Sequence, residues 1–220
     1  MNLAIIGAGL TGRTLGKQWA AKGNQLWFGG SDEDRARLQQ TVEDAWPNAR
    51  AVTVRAATEA CDVVVLAVPW KHADTCLEGA ADLTGKILVD TITPVTWVDG
   101  PQPAGEGSFA ETLARRYPGA RVVKAFNTLA ARHLMNVRFG NQDADTFLCA
   151  DDLDALGVVR TLAEQIGFRA VNAGPLHNAV LVEHLSVLFF YLGTRDPKAV
   201  QSVSSMIGNG KKSGGRLPPA

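Results

Sequence analysis

The sequence predicts an α/β fold with a doubly wound, mostly parallel sheet, and three observations carry that prediction. Short apolar runs alternate with longer amphipathic segments along the chain. The apolar runs are nearly continuous in Val, Ile and Leu, as in strands covered on both faces. The first of them leads directly into Gly7-Ala8-Gly9-Leu10-Thr11-Gly12, a glycine pattern that belongs at a strand-to-helix turn.

The elements follow in order. A strand is expected at 3–6 (LAII) and a helix at 11–22. A second strand at 25–28 (QLWF) precedes a helix at 32–46, with Ser31 placed to cap it and acidic residues in its first turn. A weaker strand falls at 51–54, a strong one at 62–68 (DVVVLAV), and a helix at 71–81. The fifth strand is 87–90 (ILVD). Residues 98–107 (VDGPQPAGEG) read as a mobile loop. A helix at 109–117 and a sixth strand at 121–126 come next. The last third continues with a strand at 145–150, a helix at 153–166 and a strand at 168–172. Strand–helix alternation of this kind implies right-handed crossovers.

Ala173-Gly174-Pro175 breaks the chain before a final helix at about 178–192. That helix is apolar nearly all round, so it is expected to be buried on more than one side. A homodimer interface accounts for this, since symmetric dimers are the commonest oligomers; burial within one subunit is the alternative. Residues 208–220, rich in Gly, Lys, Ser and Pro, read as a flexible tail. The expected organisation is one domain over 1–207, terminal helix included, followed by the tail at 208–220.

Composition narrows the function classes. Lys+Arg and Asp+Glu are both 22, so the basic excess that a nucleic-acid backbone demands is missing. Cys61, Cys76 and Cys149 are scattered and form no paired motif, which fits a reducing, cytoplasmic setting. The apolar start is too short for a signal peptide. The greasy stretch 179–193 reads as too short for a bilayer and is interrupted by Glu183 and His184. A protein outside the membrane is expected.

The glycine motif gives the first functional reading. Gly7 permits the tight turn, Gly9 leaves room for backbone to approach a pyrophosphate, and Gly12 lets helix and sheet pack closely. The helix N-terminus then offers free N–H groups and a positive dipole end to phosphates. The chain is therefore expected to carry a Rossmann-type domain that binds NAD or NADP. Asp32 stands at the spacing of the acid that grips the ribose 2′-OH of NAD. Arg35, one turn on, favours NADP. The residues leave that choice open.

Five motifs then occur together: AIIGAGLTGRTLG, CDVVVLAVPWKHA, GKILVDTITPV, ARVVKAFNTLAARHL and GFRAVNAGPLHNAVLVEHL. In these the chain resembles the NADP-dependent oxidoreductases of the deazaflavin coenzyme F-420 and their bacterial dinucleotide-binding relatives. It is also similar to the cytoplasmic domain of six-transmembrane ferric reductases. The resemblance implies that Gly7, Ala8, Gly9, Leu10, Thr11 and Gly12 cradle the pyrophosphate. It places Gly30 and Ser31 where the deazaflavin enzymes hold the 2′-phosphate with a serine and an arginine, and Ala8 where they use a threonine. Arg35 matches a further basic position. Val68, Pro69 and Trp70 match the turn beside the nicotinamide ribose. Asn127, Thr128 and Leu129 match the segment next to the nicotinamide ring, where the deazaflavin enzymes carry His-Thr-Ile. Leu129, His184 and Ser186 would line the acceptor pocket, and His184 departs from the small hydroxyl residues found there.

Hydride transfer between a nicotinamide and a flavin-like ring asks little of side chains, because the cofactors carry the chemistry. No nucleophile motif is visible. His184 has the chemistry to donate a proton to a reduced flavin nitrogen; bonding to a neighbour such as Glu183 is the plainer alternative. His177 and His184, seven apart, are too far spaced for a metal pair, and no metal is expected. Lys124 is expected to pair with Asp90 or Glu111. Trp70 either walls the cofactor site or caps the core. The favoured function is an NAD(P)-dependent oxidoreductase passing hydride to a small-molecule acceptor, F-420, FMN or FAD. The alternatives are a small-molecule dehydrogenase completed by dimerisation and a non-catalytic dinucleotide sensor.

Overall fold

The computed structural model describes residues 1–31, 39, 42, 47–139 and 141–195. Most of the helix expected at 32–46, with Asp32 and Arg35, lies outside the described residues, as does the tail expected at 208–220.

Six parallel strands form the main sheet: β1 (Asn2–Ile6), β2 (Gln25–Gly30), β3 (Ala49–Thr53), β4 (Val63–Leu66), β5 (Ile87–Asp90) and β8 (Arg121–Lys124). Their order is β3-β2-β1-β4-β5-β8. An antiparallel hairpin, β6 (Val95–Trp97) and β7 (Pro101–Pro103), is inserted before β8. A second hairpin pairs β9 (Arg138–Phe139) with β10 (Gln142–Asp143). The last two strands, β11 (Asp145–Leu148) and β12 (Arg169–Asn172), pair in parallel, and an antiparallel bridge between Lys124 and Cys149 joins that pair to β8. The described α-helices are α1 (Leu10–Ala21), α2 (Val54–Ala60), α3 (Ala73–Glu78), α4 (Phe109–Arg116), α5 (Leu153–Gln165) and α6 (Ala179–Arg195).

The period-two alternation of a strand sorts the core into two layers. Leu3, Ile5, Val63, Val65, Val89 and Val123 face one side, with Leu15, Trp19 and Phe28. Ala4, Ile6, Val64, Leu66, Leu88 and Val122 face the other, with Leu77, Leu113 and Val182. Because both faces are covered, the strands read as continuous apolar runs. Trp19 ties the first layer across helices by donating its indole N–H to the Leu162 carbonyl at 2.9 Å.

Several boundaries differ from the sequence reading. Val54 was expected to end a strand, yet it opens α2, because Thr53 Oγ1 accepts from Ala56 N at 3.1 Å and caps that helix. Half of the loop expected to be mobile at 98–107 is the β6–β7 hairpin, turned by Asp99 (φ 52°) and Gly100 (φ 130°). The helical stretch Leu176–Arg195 is 20 residues and holds an 18-residue window of mean hydropathy 1.3, long and apolar enough to cross a membrane, whereas the sequence suggests a shorter run at 179–193. One face of α6 is buried in the fold through Val182, Glu183, Ser186 and Val187, while Leu181 and Leu188 are exposed.

Candidate functional site

The chain leaves β1 toward β2 and β3 on one side, and builds β4, β5 and β8 on the other. That reversal opens a crevice at the carboxyl ends of β1 and β4, the place where open α/β sheets bind ligands. A cleft of about 670 Å³ occupies it. Its walls come from the turns that follow β1 (Gly9, Leu10, Thr11), β4 (67–70), β5 (91–93) and β8 (Phe126, Asn127), with residues 129–132 and Phe190 closing the rim.

The wall after β1 is made of backbone. Gly7 has φ +110° and donates its N–H to the Gly29 carbonyl at 3.2 Å; a Cβ there would lie 2.5 Å from the Ala67 carbonyl oxygen. A Cβ on Gly12 would press on the Gly7 carbonyl and sit 3.1 Å from Ile5 Cγ2. Gly9 differs: the nearest atom to a Cβ is the Ala67 oxygen at 4.0 Å, so the space above it is open. Gly9 is also the N-cap of α1, and no side chain caps that helix. Its first N–H groups are therefore available to an anion.

The opposite wall is made of side chains. Trp70 is half-buried and donates its indole N–H to the Val95 carbonyl at 3.0 Å, which fixes the ring against the β6–β7 hairpin. Phe126 is buried with φ 59°, a conformation rare for a bulky residue. It is held there by edge-on contacts to Trp19 and Phe168 and by donation of its N–H to Thr146 Oγ1 at 2.9 Å. This turn delivers Asn127 to the cleft wall.

Behind that wall lies a buried ionic cluster. Lys124 is fully buried. Its Nζ donates to Asp90 Oδ2 at 2.9 Å, to Glu183 Oε1 at 2.7 Å and to the Ile92 carbonyl. Both oxygens of Glu183 also accept from Phe109 N, at 3.1 and 3.2 Å, the first turn of α4. The cluster pins α6 to the ends of β5 and β8. Burial raises the Glu183 carboxyl above its ordinary range, with Lys124 pulling the other way. Glu111, the other partner expected for Lys124, instead closes a capping box with Ser108 at the start of α4. Cys61 and Cys149 are buried, and burial pushes their thiols up to about 11, so neither is a nucleophile at neutral pH.

Of the residues singled out in the sequence, Gly9, Leu10, Thr11, Val68, Pro69, Trp70, Asn127 and Leu129 line the cleft together. Gly7, Ala8 and Gly12 stand behind the loop and shape it. Gly30 ends β2 and Ser31 follows it, both outside the cleft lining, and Thr128 is also outside it. His184 is exposed on α6 and does not line the cleft. Ser186 is buried beneath the wall rather than on it, bonded to Thr93 Oγ1 and to the Asn127 carbonyl. The sequence reading passed over Thr91, Thr93, Arg132 and Phe190, all in the lining. A signal for the threonines existed in the hydroxyl-rich DTIT directly after the fifth strand. No group of three or more His, Cys, Asp or Glu suited to a metal occurs among the described residues.

Residues 2–94 match the family described as NADP oxidoreductase, coenzyme F420-dependent. The F420-dependent NADP reductase of Methanothermobacter thermautotrophicus is 32% identical over 211 residues, covering 89% of this chain and 90% of that protein. Metalloreductase STEAP3 of Rattus norvegicus is 30% identical over 82% of this chain but only 35% of its own length. A crystal structure of a candidate F420-dependent NADP reductase from Arthrobacter sp. FB24 superposes with a TM-score of 0.80 at 27% identity. It covers 89% of this chain and 94% of that one.

Proposed function

The chain belongs to the F420-dependent NADP oxidoreductase family, and from that membership we propose that it transfers hydride between NADP(H) and a flavin-like acceptor, with the deazaflavin F420 as first choice. It is an NADP-dependent oxidoreductase by family; the acceptor is the proposed part. One observation carries the proposal. A single cleft joins the glycine loop to an apolar chamber in which Arg132 is the only ionised residue of the lining. Among the described residues of the lining there is no Asp, Glu, His, Lys, Cys or Ser. Such a site is suited to holding two flat rings against each other and excluding water, which is what hydride transfer requires.

The residues present fit a dinucleotide. The cradle formed by Gly7 and Gly12 cannot take a Cβ, and Gly9 opens upward at an uncapped helix N-terminus. Gly9, Leu10 and Thr11 would hold the pyrophosphate, and Val68, Pro69 and Trp70 would flank the nicotinamide ribose. When bound, NADPH supplies the hydride. Trp70, Leu129 and Phe190 give the chamber its apolar walls. His184 lies off the lining and has no part in proton transfer there.

The proposal includes a homodimer. Leu181, Leu188 and Phe190 on α6 and Trp97 and Val98 on the adjoining hairpin are exposed apolar side chains, and β7 packs on α6. A second copy covering this face would also close the rim at Phe190. Sedimentation should give a species of twice 23.4 kDa; a monomer at micromolar concentration would sink the dimer.

The activity test is oxidation of NADPH and NADH by purified protein with F420, FMN and FAD in parallel. NADPH with F420 is expected to turn over fastest. Measurable NADPH binding with no turnover on any acceptor would move the assignment to a small-molecule dehydrogenase or a dinucleotide sensor.

A further inference from the structure

The cleft lining carries one charge, the guanidinium of Arg132. Arg132 stands on the single helical turn Ala131–His133, and that turn is anchored on both sides. His133 N donates to the Ala130 carbonyl at 2.8 Å, and the next residue, Leu134, is fully buried. The Gln18 side-chain amide on α1 donates to the Leu134 carbonyl. The turn therefore presents Arg132 from a fixed place at the rim.

Arg132 is exposed, and only one nitrogen of its guanidinium is engaged. Nε donates to Nε2 of His133 at 3.1 Å. Burial and the neighbouring Arg132 charge hold that imidazole below its ordinary range, so it stays neutral and accepts. Among the described residues, neither terminal nitrogen of Arg132 has a hydrogen-bond partner, and no carboxylate pairs with it. A planar cation with its two terminal N–H groups unused is the fork that matches a phosphate.

The chamber and the rim suit different parts of one ligand. Trp70, Ile92 and Leu129 offer apolar contact to a flat ring, but an ionised group among them would lose its hydration without compensation. A ligand with a flat ring and an ionised tail therefore lays the ring inside and the tail at the rim. We propose that Arg132 binds the phosphate on the tail of the acceptor, and so selects phosphorylated flavin-like acceptors over the bare ring. The inference rests on the flavin-like acceptor reading above. The dinucleotide is the other source of phosphate, because the turn that carries Arg132 packs against α1. Its pyrophosphate has donors of its own at the uncapped N-terminus of that helix, whereas the lining offers the acceptor's tail no other cation.

The test is equilibrium binding to protein saturated with NADP, which needs no turnover. Two pairs of ligands share a ring and differ in the tail: FMN against riboflavin, and F420 against the deazaflavin riboside that lacks the phosphate-bearing tail. Within a pair, the phosphorylated member should bind roughly five- to tenfold tighter at low salt, between the worth of an exposed ion pair and that of a hydrogen bond to a charged group. Added salt should shrink the preference. Arg132→Gln should bring the ratio close to one, and Arg132→Lys, which keeps the charge but not the fork, should leave about two- to threefold. Arg138→Gln, which removes an exposed arginine outside the lining, should leave the ratio as it is. A ratio that survives Arg132→Gln, or no preference in the natural protein, overturns the role of Arg132 and leaves the acceptor reading standing. NADP binding measured alone separates the two phosphate sources. Weaker NADP binding in Arg132→Gln with the acceptor ratio intact would assign the arginine to the dinucleotide and overturn the proposal. No binding of any of the four ligands overturns the flavin-like acceptor reading itself.

Discussion

The two walls of the cleft are built on opposite plans. The wall after β1 is six consecutive residues whose work is done by backbone shape: a positive φ at Gly7, an open space at Gly9 and a close packing at Gly12. The wall at the ends of β5 and β8 is a set of side chains gathered from across the chain. Lys124 meets Asp90 over 34 residues and Glu183 over 59; Thr93 meets Ser186 over 93. At Gly7 and Gly12 the first wall tolerates no added atom without a shift. The second tolerates almost no lost one. They should therefore fail differently when altered.

The largest effect belongs to the second wall. In Lys124→Met the Asp90 and Glu183 carboxylates, with side chains 0% and 5% exposed, lose the cation between them. Removing one partner of a buried ionic cluster costs about 3–5 kcal/mol. Urea denaturation should register a loss of that order, and a loss no larger than that of a surface substitution would show that the wall does not depend on the cluster. The deficit should also grow with pH. Burial already raises the Glu183 carboxyl, so its contribution to stability is greatest below its unfolded value and falls away as pH rises through the folded one. Without Lys124 the ionised form is penalised further. Asp152 runs the opposite way. The Arg121 guanidinium beside it, with contacts at 2.6 and 2.7 Å, holds its carboxyl well below the usual range, so its contribution is lost as pH falls.

The same contrast explains what the sequence could disclose. The glycine loop and the six parallel strands are local patterns, and their positions were legible from spacing and apolar runs. Even there the ends moved. The fourth strand was expected over 62–68, but β4 stops at Leu66 because Ala67 and Val68 turn out of the ladder to line the cleft. The ionic cluster was half legible: Asp90 was foreseen as a partner of Lys124, while Glu183 was not. Nothing local marks a glutamate on an apolar helix as the partner of a lysine 59 residues away. Phe126 was illegible for another reason. A phenylalanine carries no sign of a positive φ, which here is imposed by packing against Trp19 and Phe168. By contrast, Ser108-x-x-Glu111 is a capping signature that was present in the sequence, and it would have taken Glu111 out of contention for Lys124.

Smaller effects on stability come from the first wall, where two glycines three residues apart separate folding from binding. Gly12→Ala puts a methyl against the Gly7 carbonyl and Ile5 Cγ2. Overpacking of this kind costs roughly 1–3 kcal/mol, less than the loss of Lys124. Gly9→Val meets no protein atom closer than 4.0 Å at its Cβ and should unfold at nearly the natural denaturant concentration. Its side chain nevertheless occupies the approach to the uncapped N-terminus of α1, so NADP binding should be abolished. Titration of each variant against NADP, beside its unfolding curve, separates the two roles. If Gly9→Val kept the natural affinity, the phosphates would not sit over this helix end, and the loop would be a packing device alone. The expected pattern, a stable protein that no longer binds, would make the open space above Gly9 the part of this wall reserved for a ligand.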